Sequence, residues 1–393
     1  MEANEIALRA RVRQIVNETG LTHVQFSEEI GLDPDKLSKS LNGVRRFTSY
    51  ELAVIAERGR TTVDWLLTGA EPEKITLAAR ARERGAESGL EGALSRAKQV
   101  AGVHEILQRL GIIGRSAPQL PRVHLTGFAV HDGPRLAEAT LEMLQKEASP
   151  DQLREDPADV IERVLGINVL IEAFGGGFDG LACATSSFRL AIVNSEIPWS
   201  RQRFTLLHEC GHIIAGDGAD GDVCIDGNVM GDGDRVEEMR ANAFAGAVLM
   251  PEDDIRARVW KPVSEEAFAQ MVGRYRVSPD AMAWRLKSLG LVDTRERANL
   301  GAMPIQQAAL RGGWTEDYRD LTRNQSRPRL PLALAGHAVD AFVSGKISAR
   351  PVAVLLQVDS STLLELHARS GLGASAGDTE STAANDEMAV FVP

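Results

Sequence analysis

The sequence has no long apolar run, few cysteines and no excess of positive charge. Its apolar stretches, such as LAVI at 52–55 and GAVLM at 246–250, fall far short of the ~20 residues needed to cross a bilayer, so no membrane span is expected. The opening MEANEIALRARVRQ carries charges throughout and no apolar signal core, which leads us to expect a cytoplasmic location. Three cysteines, Cys183, Cys210 and Cys224, form no CxxC pair and no even-numbered disulfide framework. Free thiols in a reducing compartment are the expectation, as inert packing residues rather than redox sensors or extra metal ligands. A net charge of −11 argues against attraction of nucleic acid to the whole surface but leaves room for a local basic patch. No solenoid-type repeat is present.

What is there is the mix of soluble globular proteins, 44% hydrophobic and 25% charged residues over 393 positions, long enough for two or three domains. The expected fold is multidomain and mainly α with a small mixed β-sheet. Residues 1–70 read as a run of five short helices broken by TGLT, GLDPD, NGVRR and RGRTT. Asp33 is the expected N-cap, Pro34 the first helical residue and Gly43 the stop of the third helix. Residues 71–118, rich in Ala, Glu, Arg and Leu, read as a helical connector, and SAPQLPR marks its end. Residues 119–292 mix helices with the short β-branched runs INVLIEAF, GLACATSS and RLAIVN. Residues 293–368 read as a C-terminal helical region, with GGWTEDYRDLTRNQSRPRLPL irregular and ISARPVAVLLQVDSSTLLELHA packing on the preceding domain. Residues 369–393 form a low-complexity tail, expected to be disordered.

The chemistry gathers in RFTLLHECGHIIAGD, residues 203–217. On a helix, positions i and i+4 share a face, so His208 and His212 can aim two imidazoles at one point. Glu209, one position round, sits beside such a metal without binding it and can take a proton from water. A catalytic zinc keeps three protein ligands and one open position. The helix RVEEMRANAFAGAVLMP offers Glu237 and Glu238 as the third. Glu238 is preferred because Ala241, Ala245 and Val248 follow it at helical spacing, a stripe that lets another helix approach. The bland reading is a solvated polar face. Phe204, Leu206, Leu207, Ile213 and Ile214 oppose it, since they make the helix apolar on most sides and leave the histidines buried and in need of partners. The intervening DGADGDVCIDGNVMGDGD lacks EF-hand spacing and reads as an acidic loop.

RQRFTLLHECGH, the preceding RLAIVNSEIP and EMRANAFAGAVLMP together resemble the ImmA/IrrE family of zinc-dependent metallopeptidases, over roughly residues 125–290. The resemblance implies a gluzincin-like domain with Zn²⁺ held by His208, His212 and Glu238, and with Glu209 as general base. It also implies a strand beside the cleft that pairs with an extended peptide, for which RLAIVN is the expected edge. No residue identifies itself as an oxyanion stabiliser.

In VQFSEEIGLDPDKLSKSLNG, helix, tight turn and helix can set a second helix into the major groove. Phe26, Ile30, Leu37 and Leu41 would pack the two helices. Asp35, Lys36, Ser38, Lys39 and Asn42, with Arg45 and Arg46, face outward, and all but the acidic Asp35 are the expected DNA contacts. Residues 7–68, including the closing VDWLLTG, resemble an XRE/Cro-type helix-turn-helix domain, which often acts as a homodimer on paired half-sites. Residues 1–70 hold nine Lys and Arg against ten Asp and Glu, a net of −1, so any basic surface is local. The expected function is a cytoplasmic zinc endopeptidase coupled to DNA binding, cutting a partner such as a transcriptional repressor or antitoxin-like regulator. The rival reading is a transcriptional regulator whose peptidase-like domain senses a ligand or metal without hydrolysis.

Overall fold

The computed structural model describes residues 2–59, 63–69, 76–81, 87–217, 224–225 and 232–369, and the chain divides into two compact units, Met1–Lys74 and Ile75–Pro393. The expected disordered tail and most of the acidic loop lie outside the described residues. Among the described residues no helix is long and apolar enough to cross a membrane.

The first unit holds α1 (Glu2–Glu18), α2 (His23–Glu29), α3 (Pro34–Leu41), α4 (Ser49–Arg58) and α5 (Val63–Thr68). Its core is built by Val12, Ile15 and Val16 of α1 with Phe26, Leu37, Leu41, Ile55 and Leu66. Each fully buried aliphatic side chain contributes about 1.5–3 kcal/mol. Asp33 caps α3, its carboxylate accepting from the amides of Asp35 at 2.8 Å and Lys36 at 3.4 Å. The guanidinium of Arg11 donates to the carbonyls of Leu66 at 2.8 Å and Leu67 at 3.0 Å, satisfying the last turn of α5 from α1.

The second unit runs through β1 (Thr76–Ala81), α6 (Glu87–Arg109), α7 (Ala129–Leu144), α8 (Pro150–Glu155), α9 (Pro157–Leu165), β2 (Asn168–Glu172), β3 (Phe178–Ala184) and β4 (Arg189–Asn194). There follow α10 (Trp199–Ala215), β5 (Cys224–Ile225), α11 (Asp232–Leu249), α12 (Glu252–Arg256), α13 (Glu265–Tyr275) and α14 (Pro279–Ser288). The described residues end with α15 (Thr294–Gly301), α16 (Ile305–Gly312), α17 (Thr315–Asn324), α18 (Leu332–Val343), α19 (Ala349–Leu356) and α20 (Ser360–Arg369). The sheet has the order β2-β4-β3-β1-β5, with β2–β4 and β1–β5 parallel and β4–β3 and β3–β1 antiparallel.

Both sheet faces are covered. Val169, Ala182, Ala191 and Val193 face a core shared with α7, α9, α10, α11, α13 and α14. Leu170, Leu181, Cys183, Leu190 and Ile192 face the opposite core, made with Val100 and Val103 of α6, Leu334 and Ala338 of α18, and Val352 and Leu355 of α19. Strict alternation along β4 is the period-2 pleat at work. On the second face Arg96 of α6 and Glu172 of β2 form a buried pair: Arg96 Nε donates to Glu172 Oε2 at 2.9 Å and Nη2 to Oε1 at 2.8 Å, while Nη1 donates to the Val354 carbonyl at 2.7 Å. Gln357 Nε2 adds a bond to Oε2 at 3.1 Å.

Several expectations are corrected. RLAIVN is not an edge: β4 is flanked by β2 and β3, and its continuous run of β-branched and aliphatic residues reflects burial on both faces. The expected helical connector contains a strand, β1, because pairing with β3 overrides the helix preference of Ala and Arg. Residues 315–324, read as irregular, are the helix α17; Tyr318 and Leu321 are the residues it turns toward the core, too few for a clear apolar stripe. The core also continues past the boundary expected at 292, through Leu300, Ala308, Ala309 and Trp314.

Candidate metal centre

α10 lies against the sheet with Leu206, Leu207, Cys210, Ile213 and Ile214 buried in the first core. Its polar residues His208, Glu209 and His212 are buried too, at 0%, 1% and 5% exposure, so their chemistry must be met by protein or bound groups. α11 brings a second helix alongside, with Ala241 and Ala245 buried to 1% and 0%. Their small size permits the close approach expected from the stripe after Glu238.

The two helices converge at one point. His208 Nε2 lies 3.0 Å from His212 Nε2. Glu238 Oε2 is 3.4 Å from His208 Nε2, and Oε1 is 3.3 Å from His212 Nε2. All three potential ligand atoms fall within 4.8 Å of one another. Donors held about 2.0–2.1 Å from a tetrahedral zinc stand about 3.3 Å apart, so this set fits the ion in both chemistry and spacing. Glu237, the runner-up, does not belong to the group.

The far side of each imidazole is fixed. His208 Nδ1 is 3.1 Å from Asn242 Oδ1, and His212 Nδ1 is 2.8 Å from Asp217 Oδ2. With Nδ1–H donating to these oxygens, both Nε2 lone pairs are turned toward Glu238, the tautomer a metal requires. Asp217 is anchored in turn by a salt bridge to Arg240. Gly216 makes the contact geometrically accessible: at φ 77° it adopts the left-handed C-cap, the amide of Asp217 bonds the His212 carbonyl at 3.0 Å, and the chain folds back so that the carboxylate meets the imidazole.

The surroundings of the centre favour a positive charge there. Burial alone would push the His212 imidazole down, but Asp217, Glu238 and the charge of Glu209 outweigh it and hold its pKa up to about 10. Burial would likewise raise the Glu238 carboxyl, yet the two histidines keep it well below the usual carboxylate range. Cys210 and Cys183 are buried, and burial together with the charge of Glu209 pushes both thiols far up, which removes them as ready nucleophiles. The side chain of Cys224 lies outside the described residues.

Glu209 faces the sheet at Gly180 of β3, where a Cβ would stand 2.9 Å from its Oε1 and 2.4 Å from Thr205 Cγ2. Only glycine lets the strand pass so close. Beside it β3 carries a bulge: Arg80 and Ala81 of β1 are opposite Gly180 and Phe178, leaving Asp179 as the extra residue. Asp179 forms a salt bridge with Arg201 in the first turns of α10.

Sequence reasoning missed Asp217 and Asn242 as partners of the histidines, and Arg240 as the anchor of Asp217. The signal was present. Asn242 follows Glu238 by four residues on the same helix face, and Asp217 stands one residue past a glycine stop.

On the first unit, Lys36, Lys39, Asn42 and Arg46 are exposed and Ser38 is half-buried. Lys39 pairs with Asp35 at 2.6 Å and Arg46 with Glu5 at 2.6 Å. Asn42 Oδ1 accepts from Arg13 at 3.4 Å. Arg45 is turned inward: it grips the buried Glu51 through two bonds of 2.9 and 3.1 Å and donates to Ser40 Oγ at 3.0 Å. It therefore fixes the turn after α3.

No curated protein matches the chain. The segment that carries β2, β3, β4 and both helices of the His208–His212–Glu238 cluster, residues 162–287, matches the family model Peptidase_M78, the IrrE N-terminal-like domain, and this supports a metallopeptidase-like function.

Proposed function

We propose that the chain is a cytoplasmic zinc-dependent endopeptidase coupled to a DNA-binding unit. The reading rests on one observation above all: two buried Nε2 atoms and a carboxylate lie within 4.8 Å, with both Nδ1 atoms bonded to oxygens that fix the metal-ready tautomer. His208, His212 and Glu238 would hold the ion, oriented by Asn242 and Asp217. A bound zinc supplies Lewis acidity, polarising a peptide carbonyl and making water acidic near neutral pH.

The remaining steps belong to the protein. Glu209 accepts the proton of the attacking water on a carboxylate oxygen and returns it to the leaving amide nitrogen, as general base and then general acid. Its burial shields that carboxylate from bulk water, so the proton is passed to the substrate and not exchanged. The substrate would be a regulatory protein, a transcriptional repressor or antitoxin-like partner. The first unit would dock on DNA through α3, with Lys36, Ser38, Lys39, Asn42 and Arg46 at the phosphates and base edges and Arg45 positioning them. The charge balance of the unit keeps sequence-independent affinity modest.

The test is cleavage of candidate repressors by the zinc-loaded chain and by Glu209→Gln. Loss of a proton-transferring side chain should slow cleavage by about 10²–10⁴-fold with zinc retained. Equal cleavage by the two proteins would reject the mechanism; zinc binding with no cleavage by either would favour a non-hydrolytic sensor.

A further inference from the structure

We propose that β1 is the chain's own occupant of the peptide-binding edge beside the metal centre, lying where an extended substrate would bind. This rests on the peptidase reading above. A peptide recognised in extended form adds to an open sheet edge as one more strand, taking its affinity from main-chain hydrogen bonds. In this sheet β2 and β4 lie on one side of β3, and β1 takes the other side. The pairing is antiparallel and continuous from Thr76 opposite Ala184 to Arg80 opposite Gly180. Gly180 is the residue under Glu209. The backbone of β1 therefore passes along β3 at the level of the proposed general base, and the bulge at Asp179 falls in the same place.

Two further features set β1 apart from the rest of the sheet. β2, β3 and β4 fall inside the matched residues 162–287, whereas β1 precedes them by more than eighty positions in sequence. β1 also opens the second unit, directly after the boundary at Lys74. A strand from the first residues of the second unit thus adds, with β5 beyond it, to β2, β4 and β3, three neighbouring strands that are continuous without it. The segment TLAARA has no Pro and no acidic residue, so every backbone amide is free to join a ladder. The site's substrate class follows: an extended, unstructured peptide segment bound antiparallel to β3. While β1 is seated, it excludes peptides presented in trans, and its release opens the site.

The experiment uses the full chain loaded with zinc, in a Glu209→Gln background so that binding is read without turnover. Residues 76–81 are replaced by a Gly-Ser hexapeptide, and, as a second variant, Ala78→Pro and Ala79→Pro are combined. Binding of a fluorescent TLAARA hexapeptide is followed by anisotropy. A tethered segment competes at an effective concentration of roughly millimolar. Both variants should therefore bind the free peptide at least about tenfold more tightly than the unaltered chain. In the unaltered chain, amides of β3 that pair with β1 should be protected from hydrogen exchange, and replacement should speed their exchange. Equal peptide binding and unchanged exchange at residues 178–184 would overturn the proposal.

Restoring Glu209 separates the two readings. Faster peptide hydrolysis by the variants supports both, as does self-cleavage within 76–81 that Glu209→Gln abolishes. A gain in binding with no hydrolysis by any protein would leave the strand assignment standing and remove the peptidase. Equal hydrolysis with equal binding would do the reverse.

Discussion

Two of the charged clusters that the described residues of the second unit bury, one in each core beside its sheet, are built on opposite principles. In the Arg96–Glu172 cluster donors meet acceptors: guanidinium against carboxylate, carbonyls and an amide, with the Glu172 oxygens also receiving Gln357. Such a cluster is complete. It joins α6, β2 and the end of α19 and asks for nothing more. In the His208–His212–Glu238 cluster the outer nitrogens are equally well bonded, but the inner atoms, two imidazole Nε2 and a carboxylate, are turned toward one another over 3.0–3.4 Å. That set is reconciled by a positive charge among them, a proton on an imidazole or a metal ion. A satisfied buried network reads as structure; a convergent one reads as a site.

That contrast can be broken by variants that trade the two behaviours. The largest stability effect is expected from Arg96→Ala, which strands the buried Glu172 carboxylate and should cost about 3–5 kcal/mol. Chemical denaturation measures it, and zinc affinity of the folded fraction should stay unchanged. A loss of metal binding at native stability would show that the clusters are not independent.

Asp217→Asn should act the other way. It keeps the shape but weakens the grip on His212 Nδ1, lowering zinc affinity by about 10–100-fold, and it leaves the buried Arg240 without its ionic partner, so a stability loss smaller than that of Arg96→Ala accompanies it. Competition with a chelating dye gives the affinity; no change would remove Asp217 from the site.

The smallest effect sharpens the comparison with the first unit, where a third ionic contact is tied to a turn. Burial pushes Glu51 up, but the Arg45 guanidinium and the Thr48 amide outweigh it and hold its carboxyl below the ordinary value of 4.5. A depressed carboxylate stabilises the fold above its unfolded pKa and loses that contribution as pH falls through the folded value. The unfolding midpoint of the first unit should thus fall below about pH 4.5, and Glu51→Gln should flatten that acid limb. An identical pH profile in the variant would show that Arg45 is not held through Glu51.

The legibility of these features in the sequence follows their range. Caps and helical faces are local, so Asp33, Pro34 and the i, i+4 pair His208 and His212 could be read directly. Glu238 was reachable through the alanines behind it. Sheet order was not: RLAIVN looks the same whether one or both of its edges are paired, and TLAARA becomes a strand only by meeting β3. For Asp217 and Asn242 the local spacing was a signal that did not by itself fix their partners. Their roles depend on a left-handed turn at Gly216 and on the rotation of α11 against α10, which tertiary packing decides.

The most direct measurement is a zinc titration of the metal-free full chain beside His208→Ala, read by equilibrium dialysis with elemental analysis. The expected result is one tightly held zinc per unaltered chain, lost from the variant although it stays folded. Zinc bound equally by both proteins, or by neither, would contradict a centre built on His208, His212 and Glu238.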